Sequence, residues 1–292
     1  MAAGQNLEGR LAIIAGSGLL PFHVAEASRA AGENPVIIAL KNEVDRRWEG
    51  YDHAVISVGD FAALDALFRQ YDVRRVVMSG SVRRRPEWRE IRPTFRTLMK
   101  VPAVVRTLLS GGDDGVLQMV INLIETDGRR VIGAHEIAPD LLAVTGPVGA
   151  VLPSEEDHRD IEQAAKAAEA LGLLDVGQGA VSVGGRVVAL EGVEGTDRML
   201  ARVAELRAEG RISARRRGVL VKLCKPQQDI RADLPAIGVS TVLNAKKAGL
   251  AGIAVEAGRS LILERETLIE TADREGIFVY GIDRELPLRS VP

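Results

Sequence analysis

Short apolar runs that end in glycine alternate with helically spaced segments through the first half of the chain. "RLAIIAGSG" reads as a buried strand running into a glycine turn. "LPFHVAEASRAAG" follows with helical spacing, Pro21 in its first turn and Gly32 at its end. "NPVIIAL" and "HAVISVG" are the next strand-like runs, then comes the helix-like "FAALDALFRQY". "VRRVVMSG" is a further strand, helical material carries the chain to about residue 127, and "RRVIGAHE" reads as one more strand. Continuous apolar strands separated by helices predict a parallel sheet covered on both faces.

The pattern dissolves over 138–152, "APDLLAVTGPVGAVLP", which shows no clear period and reads as a linker. It restarts in "SEEDHRDIEQAAKAAEALG", with Ser154 as helix N-cap and acidic residues in the first turn, where they favour the positive helix end. The second half differs in kind. "GAVSVGGRVVALEG" predicts a β-hairpin turning at Gly184-Gly185. "TDRMLARVAELRAEG" is a helix, capped by Thr196 and beginning near Asp197. "GVLVKLC" and "GIAVEAG" read as strands, "SLIL" and "IFVYGI" as two more, with helices at 241–249 and 266–275. The fold class is therefore α/β: a Rossmann-like parallel-sheet domain over 1–137, the linker 138–152, and a distinct C-terminal α/β (α+β) catalytic domain over 153–292.

Composition narrows the function classes. The 292 residues, 46% hydrophobic and 27% charged, suit a globular protein with a real core. Aromatics at 3% argue against a base-stacking platform, and a net charge of −2 gives no global field for nucleic acid. The basic runs Arg83–Arg85 and Arg215–Arg217 read as solvated faces or as phosphate contacts. The single cysteine, Cys224, permits no internal disulfide and falls in an apolar run, as a buried structural thiol does. That fits a reducing, cytoplasmic compartment. "MAAGQNLEGR" has no apolar core of a signal peptide, and no run of 18 apolar residues predicts a membrane span.

Candidate chemistry gathers at strand ends. Gly16-Ser17-Gly18 and Gly80 each follow a strand of the first sheet, where ligands of open parallel sheets collect. Their amides are candidate anion donors, with Arg83 as a nearby contact. Asp113 and Asp114 precede a helix, as a cap or as a metal or ribose contact. His23, His53, His135 and His158 form no metal-ligand spacing, and no G-x-S-x-G occurs, which disfavours serine hydrolases and His-rich metallohydrolases. The densest signal lies in the second half. Glu194 and Asp197 flank Gly195-Thr196 at a strand-to-helix junction, and "KPQQDIRADLPAIG" holds Gln228, Asp229, Arg231 and Asp233 after another strand. Carboxylates with water and phosphate oxygens are the ligands Mg²⁺ takes. Lys222, on the strand itself, adds a fixed positive charge.

The pieces "IAGSGLLP", "GSVRRRP", "GGDDGVL", "VGQGAVSVGGRVVALEGVEGTDRML", "LVKLCKPQQDIRADLPAIG" and "AGLAGIAVEAG" occur in order along most of the chain. Together they resemble the UDP-2,3-diacylglucosamine pyrophosphatases of lipid A biosynthesis, the LpxI type. The resemblance implies a two-domain enzyme of a Gram-negative bacterium, facing the cytosol and peripheral to the inner membrane. It would use Mg²⁺ or another divalent cation to hydrolyse a lipid-linked nucleotide sugar to UMP and 2,3-diacylglucosamine 1-phosphate, with the lipid lying between the domains. It also implies an essential aspartate in "QDIRAD", carried over to Asp229 or Asp233. The serine of "AGSG" departs from a third glycine common in the family.

The expected division of labour follows. Gly16, Ser17, Gly18, Gly80, Arg83, Thr196 and Gln228 bind substrate or its phosphates. Asp229 and Asp233, joined by Glu194 and Asp197, hold the metal and orient water, and Lys222 stabilises developing charge. Contact with the inner-membrane surface is transient, nucleic acid is excluded, and a homodimer is permitted. A nucleotide-sugar or NAD-dependent enzyme using the Rossmann-like half is the rival class. It is weakened by the missing third glycine and by Lys41-Asn42 where an acidic ribose partner belongs. A non-catalytic lipid or nucleotide carrier is the other.

Overall fold

The computed structural model describes residues 9–82 and 113–284. The chain divides into two compact units, Met1–Pro139 with Asp229–Asp233, and Asp140–Gln228 with Leu234–Pro292.

In the first unit the strands are β1 (Arg10–Ala15), β2 (Val36–Leu40), β3 (Asp52–Ile56), β4 (Val73–Ser79) and β5 (Arg130–Val131). They pair in parallel in the order β3-β2-β1-β4-β5. Its helices are α1 (Leu20–Ala30), α2 (Phe61–Gln70), α3 (Asp113–Glu125) and α4 (Ala134–Ile137). The apolar strand runs are continuous because both faces are covered. Leu11, Ile13 and Ala15 pack with Val24 and Ala25 of α1. Ala12 and Ile14 pack on the other face with Leu64 and Phe68 of α2 and with Ile121 and Ile124 of α3. Pro21 lies in the first turn of α1, and Gly32, with φ +82°, follows its end.

The second unit holds β6 (Gly146–Pro147), α5 (Glu155–Leu173), β7 (Gly179–Val183), β8 (Arg186–Leu190), α6 (Gly195–Ala208), β9 (Val219–Lys222), β10 (Ala236–Ile237), α7 (Val239–Lys247), β11 (Gly252–Glu256), β12 (Leu261–Ile262), α8 (Arg265–Glu275) and β13 (Phe278–Ile282). Its mixed sheet runs β6-β13-β11-β9-β7-β8, with β9, β11 and β13 parallel, while β10 and β12 form a separate ribbon. The period-less stretch 138–152 supplies β6, which pairs antiparallel with β13.

Helix α5 covers one face of this sheet through Ile161, Ala164 and Ala168. Helices α6, α7 and α8 cover the other through Met199, Val242 and Leu268. Ser154 caps α5 as expected, its hydroxyl accepting from the Asp157 amide. The hairpin also turns where expected. Gly184 and Gly185 both take positive φ, which suits the twist of a two-residue turn. Buried Asp160 of α5 fixes that turn, accepting from both glycine amides and from the Ser182 hydroxyl at 2.6–2.9 Å. No helix among the described residues is long and apolar enough to cross a membrane.

Candidate functional site

The two glycine turns of the first unit meet. Strand order reverses direction between β1 and β4, and Gly16 and Gly80 stand at the carboxyl ends of these neighbours. A Cβ on Gly16 would lie 2.5 Å from the Ser81 carbonyl oxygen, and one on Gly80 would lie 2.6 Å from that of Ser17. Only glycine permits this approach. The amides expected to cradle an anion have other partners. Gly16 N donates to Ser79 O and Ser17 N to Ser81 O, both at 2.8 Å. Gly18 N donates to the carboxylate of Asp45 at 2.9 Å. Arg83 lies outside the described residues, as do the side chains of Asp113 and Asp114.

The "QDIRAD" segment is tightly tied. Asp229 Oδ1 accepts from Arg231 Nε and from the Arg231 amide, both at 3.0 Å, and Oδ2 accepts from Nη2 at 2.7 Å. Arg231 Nη1 reaches Glu125 at the end of α3, 2.9 Å away. These bonds to Arg231 hold the Asp229 carboxyl below the usual carboxylate range despite its partial burial. Asp233 closes the turn with its amide directed to Asp229 O at 3.3 Å. Ala232 packs against the α2–α3 core, which explains why Asp229–Asp233 joins the first unit.

The second unit gathers polar groups at the carboxyl ends of its parallel strands. Lys222 ends β9 and is 6% exposed, its Nζ donating to Ala236 O at 3.3 Å. Gln228 is buried and accepts from the Lys225 amide at 3.2 Å, closing the turn after Cys224, which is itself buried. Lys225 pairs with Asp175 at 2.6 Å. Glu256 ends β11, accepts from the Cys224 amide at 3.0 Å and faces Arg259 and Arg284.

Around "EGTD" the expected cap is not formed. Helix α6 begins at Gly195 with Glu194 as N-cap, and no side-chain hydrogen bond caps it. Gly195, at φ +77°, turns the chain into the helix two residues earlier than a Thr196 cap requires. The Thr196 hydroxyl instead donates to Glu191 at 2.6 Å. Glu194 pairs with Arg202 at 3.4 Å, and Asp197 accepts from Asn244 at 2.9 Å. Glu191, 7% exposed, is a residue that the carboxylate spacing of "EGTD" overlooks. Its signal was strand periodicity: it lies two residues past core residue Ala189 and so points to the same face.

Among the described residues, no three His, Cys, Asp or Glu side chains come together as a metal-binding group.

Comparison with known proteins agrees with this two-part architecture. The LpxI N-terminal domain matches residues 10–141, and the LpxI C-terminal domain matches residues 144–280. A protein of Caulobacter vibrioides named UDP-2,3-diacylglucosamine pyrophosphatase LpxI is 40% identical over 275 residues, 94% of this chain and 98% of that relative. With both domains matched in order and so much of each chain aligned, this protein belongs to the LpxI family of enzymes.

Proposed function

We propose that this chain hydrolyses the pyrophosphate of UDP-2,3-diacylglucosamine, giving UMP and 2,3-diacylglucosamine 1-phosphate, in lipid A biosynthesis. The observation that carries the reading is the 40% identity to a relative of that name across 94% of the chain. The residues support it in kind. Lys222 is a buried ammonium with N–H groups beyond its one bond, suited to charge that develops on phosphoryl oxygens. The amides of Gly16 and Ser17 are spent on β4 and the turn after it, so this turn offers no dinucleotide cradle. Gly18 is the amide of the turn that a phosphate could take, by displacing the Asp45 side chain.

A divalent cation, Mg²⁺ foremost, belongs to this reading. Asp229 and Asp233 would share it with the substrate's phosphate oxygens, and it would neutralise charge on the pyrophosphate. Arg231 keeps Asp229 ionised, and so ready as a ligand, well into acid. The acyl chains bring the enzyme to the cytoplasmic surface of the inner membrane for each turnover.

Release of UMP from UDP-2,3-diacylglucosamine by the wild type, Asp229→Ala and Asp233→Ala tests the carboxylate assignment. At least one variant should fall by about 100-fold or more. Near-normal rates in both would show that neither side chain serves the reaction.

A further inference from the structure

Three strands of the second unit place Glu191, Gly179 and Lys222 in one row. Gly179 of β7 pairs with Lys222 of β9, so their side-chain directions agree. On its other side Gly179 O accepts from the Glu191 amide at 2.9 Å, which continues the β7–β8 ladder by one residue. Leu220, Val181 and Ala189, each two residues from a member of the row, all belong to the core under α6, α7 and α8. By the period of two, Lys222, Gly179 and Glu191 face that same side. Glycine in the middle is what lets the carboxylate lie across the row. A Cβ at Gly179 would fall 2.5 Å from Glu191 Oε2.

The two charged ends are incompletely satisfied among the described residues. Glu191 Oε1 accepts from Thr196, but Oε2 is buried with no hydrogen-bond partner. Lys222 makes a single bond there, at 3.3 Å, although an ammonium carries three N–H groups. A buried carboxylate oxygen without a partner keeps its full cost of desolvation. In a native fold such a group calls for an explanation, and a catalytic role is one of those it can have. An acceptor and a donor on one face, both desolvated and both with open valence, suit a pair of ligand groups of opposite kind: an O–H toward Glu191 and an anionic oxygen toward Lys222.

We propose that Glu191 is a catalytic residue, the proton acceptor for the water that attacks the pyrophosphate, with Lys222 steadying the phosphoryl oxygens beside it. This rests on the hydrolytic reading above. The water oxygen forms the new P–O bond as its proton passes to Glu191 Oε2. The bridging P–O bond breaks, and its electron pair leaves on the departing phosphate. Glu191 then returns the proton to solvent. Thr196 is a positioning residue in this scheme, because its hydroxyl fixes Oε1 and so leaves Oε2 as the oxygen that takes the proton.

Steady-state UMP release by Glu191→Gln, alongside its melting temperature, separates proton transfer from mere packing. The substituted amide keeps the shape of the carboxylate, and its oxygen can still accept from Thr196. The expected result is a kcat at least about 100-fold below wild type, with KM changed by less than about threefold and unaltered melting. Formate added to Glu191→Ala should restore part of the lost rate by replacing the missing carboxylate, which also settles the matter if the glutamine variant folds poorly. A glutamine variant as fast as wild type, or an alanine variant that formate leaves unchanged, overturns the proposal. A wild type that releases no UMP sinks the hydrolytic reading itself, a different failure.

Discussion

At the level of single residues, charge partners decide what the site offers. Asp229 gives both oxygens to Arg231, and its pKa is depressed chiefly by that side chain's hydrogen bonds. A depressed carboxylate contributes stability that is present above its unfolded pKa of about 3.9 and is lost as pH falls through the lower folded value. Melting of wild type and Arg231→Gln across acid pH should therefore show a gap that is constant near neutrality and closes in acid. A gap that widens in acid would contradict the assignment. Tyr51 behaves in the opposite sense. Burial first, then its hydrogen bond and proximity to Glu26, push its phenol up to about 12. Its contribution is whole below the ordinary value of about 10 and lost as pH rises toward 12. Ultraviolet titration of wild type against Tyr51→Phe should show that the tyrosinate absorbance lost with Tyr51 belongs to an ionisation near pH 12. A lost ionisation near the ordinary value of about 10 would count against it. The type of these residues was legible in the chain, but their partners were not. Glu26 lies 25 positions from Tyr51, and Glu125 lies 106 from Arg231.

Among the elements, local signals were sound where the bond is local. Ser154 meets the amide of Asp157 three residues on, and the Gly184-Gly185 turn needs only positive φ. Thr196 failed as a cap because its hydroxyl had a better use on Glu191, which a helix-start rule does not weigh. Arg207 was similarly illegible. It sits in an ordinary amphipathic helix, yet its guanidinium bonds the carbonyls of Ala248, Ser213, Arg216 and Arg217 at 2.6–2.9 Å. It thereby ties the end of α7 and the loop before β9 to α6. Arg207→Ala should cost about 2–4 kcal/mol in denaturant unfolding, since several carbonyls lose a charged donor at once. Arg207→Lys should recover less than half of that, because an ammonium lacks the planar fork. Full recovery by lysine would mean that charge alone matters. Gly80→Ala should lower thermal stability too, its Cβ having nowhere to go between Ser17 O and the Pro21 ring, and an unchanged midpoint would contradict the close approach.

Across the molecule, the alternation of glycine-ended apolar runs with helices reveals the first sheet and its parallel sense, because coverage of both faces writes itself into the inner strands β1 and β2, though not into the exposed edge strand β3. The mixed sheet of the second unit was legible only in pieces, since the period-less stretch 138–152 gives no hint that Gly146–Pro147 pairs with β13. Nor does order along the chain show that Asp229–Asp233 packs with the first unit. The motif "QDIRAD" signals chemistry without signalling its address. Of the candidate site, the polar residues at strand ends were visible from residue type and position. Glu191 was visible only by following the strand's period of two past its last apolar residue. Cation-dependent hydrolysis of a pyrophosphate is the activity we propose, and the roles given to Glu191, Lys222, Asp229 and Asp233 depend on it. It is tested by incubating the purified protein with UDP-2,3-diacylglucosamine and Mg²⁺, then with a chelator in excess, following UMP and the lipid monophosphate together. Equimolar release of both products with Mg²⁺ and near-complete arrest under chelation, reversed by added Mg²⁺, is the expected result. Absence of UMP, or a rate indifferent to the chelator, would contradict it.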